Sequence, residues 1–474
     1  MLSETAVNSR LSAIRLEKAD DVSIGYSNGR WTVRGGGEPL FFRLPAGKTF
    51  AFLDEMRDGG VPLERLDRDG RADEAGGCAV EQLGRLWRQG RLVKAIYDGD
   101  ERIAALFNFS DVELLYSDFD PSIPFVITED TCLHREGDSA ILETSASGAY
   151  LQILDTRILR ISLPFFKPIK CEEWAAEVQV PENVIVALAD CLHSIRVIEP
   201  AANSSASITQ ASGWSFANRM AHARSRVGRH IGQYGSRSSY PGRLDDPLQS
   251  SDPPDSRTIE LERPQVSELA ANDCSFTEVL ESRRSIREHG EVPIDLPRLG
   301  EFLFRSARVV GKAGWRGQEI ALRPYPSAGG LHELEIYPLI NRCNGLPQGV
   351  YRYDPFGHRL IHRADPGPGT ATLIGECYRA TQMQTEPQVL VLVAARFAPV
   401  NDKYDSIAYS LILKNTGCLL QTMHLVSNAM GLAGCVLGGG NSDLFCKTVG
   451  SDFWKEGTVG EFLLGSRRVV RQRT

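Results

Sequence analysis

The sequence predicts an α+β protein of several domains, whose carboxy-terminal part is an antiparallel or mixed sheet with surrounding helices. Three observations carry that prediction. The chain has 474 residues, beyond the length at which a single hydrophobic core usually stops growing. A segment rich in Ser, Pro, Gly and Arg, residues 201–258, interrupts it as an interdomain linker would. The patterns on its two sides also differ: strand runs followed by helices before it, helices alternating with strands after it. The predicted organisation is a first module over 1–110, a second over 111–200, the linker over 201–258 and a larger domain over 259–474.

Before the linker, residues 83–93 resemble residues 188–198, each an apolar-striped helix running straight into a β-branched strand. Strand-like runs lie upstream of each copy, at 30–34 and 40–43 in the first and at 140–144 and 150–154 in the second. Strands, helices, then a helix feeding a strand is a winged-helix order. Such a module offers a helix and a strand edge on which an extended peptide can pair, so tandem peptide holding is one expectation and dimerisation the alternative. DNA binding is disfavoured, because the net charge is −7 and no helix here is rich in Lys and Arg. Inside the linker, Trp214 and Phe216 precede Arg219, Arg224, Arg226, Arg229 and Arg237 with no acidic residue among them. That run suits either a clamp on an anionic leader peptide or a solvated tether.

After the linker the local signals are sharper. Ser275-Phe-Thr-Glu278 is a capping box that opens a short helix, and Asp295-Leu-Pro297 caps a second, over 299–309. Residues 334–340 and 388–395 are strands, the latter apolar on both faces and therefore central. Between them, residues 350–353 turn through Asp354-Pro-Phe-Gly357 into a second strand at 359–361, forming a hairpin. Residues 406–430 form a long, largely apolar helix stopped at Gly431.

Composition narrows the function. With 42% hydrophobic and 24% charged residues, the chain has the make-up of an ordinary globular protein. Its opening Met1-Leu-Ser-Glu-Thr5 has no secretion-signal pattern and no apolar run approaches bilayer length, so a cytoplasmic protein without a membrane partner is expected. Ten cysteines show no C-x-x-C pair, so neither a zinc ribbon nor a dithiol motif is suggested, and no metal site is predicted. No nucleophile elbow, P-loop or dinucleotide fingerprint occurs.

Four anion-binding or glycine features remain. Arg283-Arg284-Ser285-Ile286-Arg287 ends a capped helix in a basic cluster, where guanidinium forks and a hydroxyl suit a phosphate. Pro326-Ser327-Ala328-Gly329-Gly330 lets backbone N–H groups come flush against a flat ring, with Ser327 as a hydroxyl partner. Val436-Leu-Gly438-Gly439-Gly440 and Leu464-Gly-Ser-Arg467 follow.

In this order the features resemble the nitroreductase superfamily, and within it the SagB/McbC branch of FMN-dependent azoline oxidases. The resemblance spans about the last 200 residues. It implies FMN as cofactor, its phosphate and ribityl chain held by Arg283, Arg284, Ser285, Arg287 and Arg467. It implies an isoalloxazine lined by Pro326, Ser327, Ala328, Gly329 and Gly330, from this chain or from a partner subunit. Lys414 and Asn415 would lie near the flavin, and Gly438 and Gly439 would supply backbone donors. It further implies a homodimer, an azoline-containing precursor peptide as substrate, and a cyclodehydratase complex as partner. The branch carries a Lys-Tyr pair, matched here by Lys403-Tyr404. Lys403 is the candidate base, an amine whose pKa desolvation would lower, with Tyr404 polarising or relaying the proton. The amino-terminal half resembles the tandem winged-helix clamps of the longer members, and residues 223–229 their connecting segment. Met220 and Ala221 before His222 depart from the aromatic that several members carry there. The alternatives are an NAD(P)H-fed nitroreductase-like flavoenzyme, another peptide dehydrogenase, or a non-catalytic peptide-holding subunit.

Overall fold

A computed structural model describes residues 12–27, 30–35, 40–42, 48–69, 79–110, 112–115, 118–159, 167–203, 213–232, 234–235, 257–315, 318–381 and 386–468. It contains two compact units, residues 1–240 with 404–407 and residues 241–403 with 408–474.

The first unit begins with β1 Ile14–Lys18, β2 Ser23–Ser27, β3 Arg30–Arg34, β4 Leu40–Phe42, α1 Lys48–Asp58, β5 Val61–Pro62, α2 Leu63–Asp69, α3 Ala79–Trp87, β6 Leu92–Asp98 and β7 Glu101–Asn108. It continues with β8 Phe125–Ile127, β9 Thr131–Glu136, β10 Ser139–Thr144, β11 Ala149–Ile153, α4 Thr156–Leu159, α5 Cys171–Val178, α6 Glu182–Ser194, β12 Ile198–Pro200 and α7 Phe216–Arg224. Both copies of the helix-into-strand pattern appear, as α3 into β6 and as α6 into β12. The hairpins β6–β7 and β9–β10 each turn on a two-residue Gly-Asp loop, with Gly99 at φ 63° and Gly137 at φ 57°. Only a residue without Cβ takes that conformation at little cost.

The halves share one sheet. Its order is β5-β1-β6-β7-β11-β10-β9, and the boundary predicted at 110/111 falls between β7 and β11, which pair from Ala104 with Ile153 to Asn108 with Ala149. A single hydrophobic core correspondingly runs from Ala13 to Ile198. The basic run of the linker is partly consumed within this unit. Arg219 is buried against Asp130, and Arg224 forms an ion pair with Glu143 at 2.6 Å while bonding the carbonyls of Thr144 and Ser147. These two arginines are thus already neutralised and cannot serve an anionic peptide as the sequence suggested; Arg226 and Arg229 are exposed, and Arg237 lies outside the described residues.

The second unit contains β13 Thr258–Glu260, α8 Val266–Asn272, α9 Phe276–Ser282, α10 Leu296–Ala307, β14 Gly311–Trp315, β15 Gln318–Leu322, β16 Leu334–Ile340, β17 Gly349–Asp354 and β18 Arg359–Ala364. Then come α11 Pro368–Thr381, β19 Val389–Arg396, α12 Phe397–Tyr404, α13 Ala408–Ala429, β20 Leu432–Leu437, α14 Ser442–Val449 and β21 Glu456–Ser466. Ser275 caps α9 in a reciprocal box with Glu278, and Asp295 caps α10. The hairpin β17–β18 closes on Asp354, whose carboxylate accepts the N–H groups of Phe356 and Gly357.

The sheet order is β13-β18-β17-β16-β19-β21-β20, antiparallel at each of these pairings. β19 is an interior strand of it, between β16 and β21, and is buried on both faces. Leu390, Leu392 and Ala394 pack on one side against Leu373, Cys377, Phe445 and Val449 of α11 and α14. On the other side α10 and α13 cover the sheet, with Phe302 stacked on Phe462 and His424 edge-on to the same ring. α13 lies so close to β20 that a Cβ on Gly434 would overlap Ser427 Oγ. α13 stops at Gly431, φ 64°, the glycine at which the sequence predicted its end.

Candidate functional site

The structure gathers the predicted residues into two groups, at opposite ends of α13. At its carboxy-terminal end, α9 gives out and residues 283–288 run extended along β20, where the Ile286 N–H bonds the Gly434 carbonyl at 3.0 Å. His424 fixes the same segment through a bond to the Arg284 carbonyl at 3.1 Å. Arg467, just beyond β21, donates to Leu432 O at 3.1 Å and to Asn428 Oδ1 at 2.6 Å, while Asn428 Nδ2 donates to Ser282 Oγ at 2.9 Å. The first and last motifs of the sequence are thus joined through one asparagine. Arg284, Ser285 and Arg287 are exposed and Arg283 half-buried. This is a concentration of guanidinium donors suited to an anion.

At the other end, the 326–330 loop docks on α13. Gly329 and Gly330 stand at φ 62° and 69°, the left-handed conformation that explains both glycines. Asn415 is buried and accepts the Ala328 N–H at 3.2 Å, while its amide donates to Glu333 at 2.8 Å. Ser327 gives its hydroxyl proton to Glu333 at 3.0 Å and accepts the His332 N–H at 3.0 Å. That proton, expected to serve a ligand, is engaged within the chain. Lys403 on α12 is buried and donates to the Gly329 carbonyl at 3.2 Å. Burial pulls its amine below the usual lysine value. Tyr404 ends the same helix, half-buried. Lys414 is exposed beside buried Asn415, and Pro326 is exposed as well.

The glycine turn after β20 returns toward this second end, because Leu437 pairs with Glu461 and the neighbouring Gly460 abuts Thr416 of α13. Gly438 and Gly439 are exposed, with open space where a Cβ would stand. At Gly440 a Cβ would overlap the carboxylate of Glu461, a buried acid that burial shifts upward.

Asn415 and Asn428 are separated by about 20 Å of helix, at 1.5 Å rise per residue. The arginine cluster and the loop of one chain therefore stand apart. Sequence reasoning missed Glu333 and Glu461. Their signal was there, since each is an acid entering or interrupting a buried strand, and such acids are rare without a partner. Among the described residues no group of His, Cys, Asp and Glu could hold a metal ion, and no helix is long and apolar enough to cross a membrane.

An antiparallel sheet between two helical layers, with basic and glycine-rich turns at the ends of one long helix, defines a class. Residues 280–465 match the model of the nitroreductase family, and this carboxy-terminal region is a nitroreductase-family domain. Two proteins bearing the name "putative nitroreductase" are similar to it. MJ1384 of Methanocaldococcus jannaschii is 27% identical over 175 residues, 37% of this chain and 81% of that protein. A solved structure from Ralstonia eutropha JMP134 is 18% identical, covering 45% of this chain and 91% of its own, with a TM-score of 0.35. A chain of the Escherichia coli microcin synthetase McbBCD complex with truncated pro-MccB17 is 19% identical, covering 44% of this chain and 85% of its own, with a TM-score of 0.33.

Proposed function

We propose that the protein is a cytoplasmic, homodimeric, FMN-dependent dehydrogenase that oxidises thiazoline or oxazoline rings of a ribosomally made peptide to thiazoles or oxazoles. The observation that carries this reading is Lys403, a buried amine bonded to the loop that would line the flavin. The residues fit FMN. Arg283, Arg284, Ser285, Arg287 and Arg467 cluster at a basic, largely exposed edge suited to a phosphate, and the open flank of Gly438 and Gly439 admits a flat ring. The separation of the two groups along α13 favours a dimer in which each flavin takes its phosphate site from one subunit and the 326–330 loop from the other.

Bound FMN would supply the acceptor for the hydride that leaves the ring carbon. Lys403 removes the proton α to the carbonyl, a weak carbon acid that needs a positioned base. For this its amine must be neutral, and burial moves it in that direction. Gly329 O accepts from the same amine and holds it against the loop. Tyr404, next in the chain, is the proposed relay. The first unit, with its exposed Arg226 and Arg229, is the proposed holder of the precursor peptide, within a cyclodehydratase complex.

The purified protein should be yellow, and a heterocyclised peptide should lose two hydrogens per ring in the mass spectrum. Lys403→Ala should slow that loss at least about a hundredfold, the usual scale for a positioned base, while the colour stays. Full-rate aromatisation by the variant overturns the assignment of the base. Rapid bleaching by NADPH alone, with no change in peptide mass, would support the nitroreductase-like alternative instead.

A further inference from the structure

We infer that Glu333 is a positioning residue for this site and an anion fixed behind the loop that would line the flavin. Its side chain is fully buried and accepts at both oxygens, from Ser327 Oγ at 3.0 Å and from Asn415 Nδ2 at 2.8 Å. Both partners are donors, which is what a carboxylate requires and a protonated acid does not. With its amide held this way, Asn415 turns Oδ1 to the loop and receives the Ala328 N–H. Ser327, its proton spent on Glu333, turns lone pairs to the His332 N–H and, at 3.4 Å, to Asn415 Nδ2. One carboxylate thus sets the orientation of two side chains, and through them latches residues 327–330 to α13.

The second consequence is electrostatic and rests on the proposed flavin site. A buried negative charge behind the ring-lining loop opposes the gain of electrons there, since charge interactions are weakly screened in the interior. Glu333 therefore favours the oxidised cofactor. An enzyme whose cofactor must be returned to that state after each turnover benefits from such a bias.

The test uses the full-length protein and two variants. Glu333→Gln keeps the shape and removes the charge; Ser327→Ala keeps the charge and removes one of its donors. In flavin-free protein, hydrogen exchange at the Ala328 amide should quicken by about tenfold in both, as one latch bond is weakened. With FMN bound, Glu333→Gln should tighten reduced over oxidised flavin by about tenfold, an upward shift in potential of about 30 mV. Ser327→Ala should shift it downward. Opposite signs are expected of a charge and not of mere loosening, which would move both variants alike. Unchanged exchange in both variants, or shifts of the same sign, overturns the inference. A protein that binds no FMN defeats the proposed function, and the Ala328 exchange rate then decides the role of Glu333 alone.

Discussion

The two ends of α13 hold two kinds of polar site. Around Asn415 the chain supplies the partners itself: acid and amide are buried, and the half-buried loop is bonded to both. Around Asn428 one guanidinium is anchored, but Arg284, Ser285 and Arg287 stand on the surface. The first end is organised before any ligand arrives; the second has charge in place and leaves the final geometry to the ligand. Substitutions at the first should therefore damage the fold, and substitutions at the second should damage binding.

The largest effect belongs to Asn415. Asn415→Leu strands Glu333 in the interior with one donor fewer, and removing one partner of a buried charge costs about 4 kcal/mol. Urea unfolding followed by tryptophan fluorescence would measure it, and a loss under about 1 kcal/mol would erase the distinction between the two ends.

A pH effect of somewhat smaller size comes from His289, which lies beside Arg467 in the chain pairing of residues 289 and 467. It is buried, accepts the Gln388 N–H at 3.1 Å, and is held at about 4 by burial and Arg342. The unfolded chain takes up this proton near 6.5 and the folded chain near 4, so stability is full above 6.5 and falls as pH drops between those values. The loss reaches about 3 kcal/mol at the acid limit. His332, also held at about 4, adds loss of the same sign, whereas burial raises Glu456 and Glu461 and gives them the opposite sign. The difference between His289→Gln and the parent is therefore the measure: the variant should lose less stability from pH 6.5 to 4, and parallel curves would refute the assignment.

The smallest effect on folding is expected at Arg467. Arg467→Ala removes bonds on an exposed edge and should leave stability within about 1 kcal/mol, yet weaken FMN by about tenfold, as loss of one charge-assisted bond would. Equal losses of stability and affinity would mean that both ends are built alike.

Legibility in the sequence followed the range of the interaction. The capping boxes at Ser275 and Asp295, the central strand β19 and the glycine stop of α13 rest on neighbours a few residues away, and each stood plainly in the sequence. So did the 326–330 loop, because paired glycines announce a left-handed turn. The hairpin of β14 and β15 was not read, for its strands are short, the first carries two glycines, and neither shows clear alternation. The latch was out of reach, since it joins Asn415 to Glu333 across 82 positions and only folding brings them together. Lys414, adjacent to Asn415 in sequence, points the lesson: a helix turns neighbours to different faces, and one is buried where the other is exposed. In the first unit the duplicated helix-into-strand pattern was readable, but the pairing of β7 with β11 was not, because the register of two distant strands leaves no local mark.

That pairing constrains anyone who would divide the protein. Cutting the chain after Asn108 would not liberate a tidy amino-terminal piece; it would strip β11 from β7 and bare a row of backbone donors and acceptors along an apolar strand. Naked edges of this kind recruit other chains. Fragments intended to isolate the amino-terminal half should therefore be drawn beyond β12, or they will be recovered as aggregates.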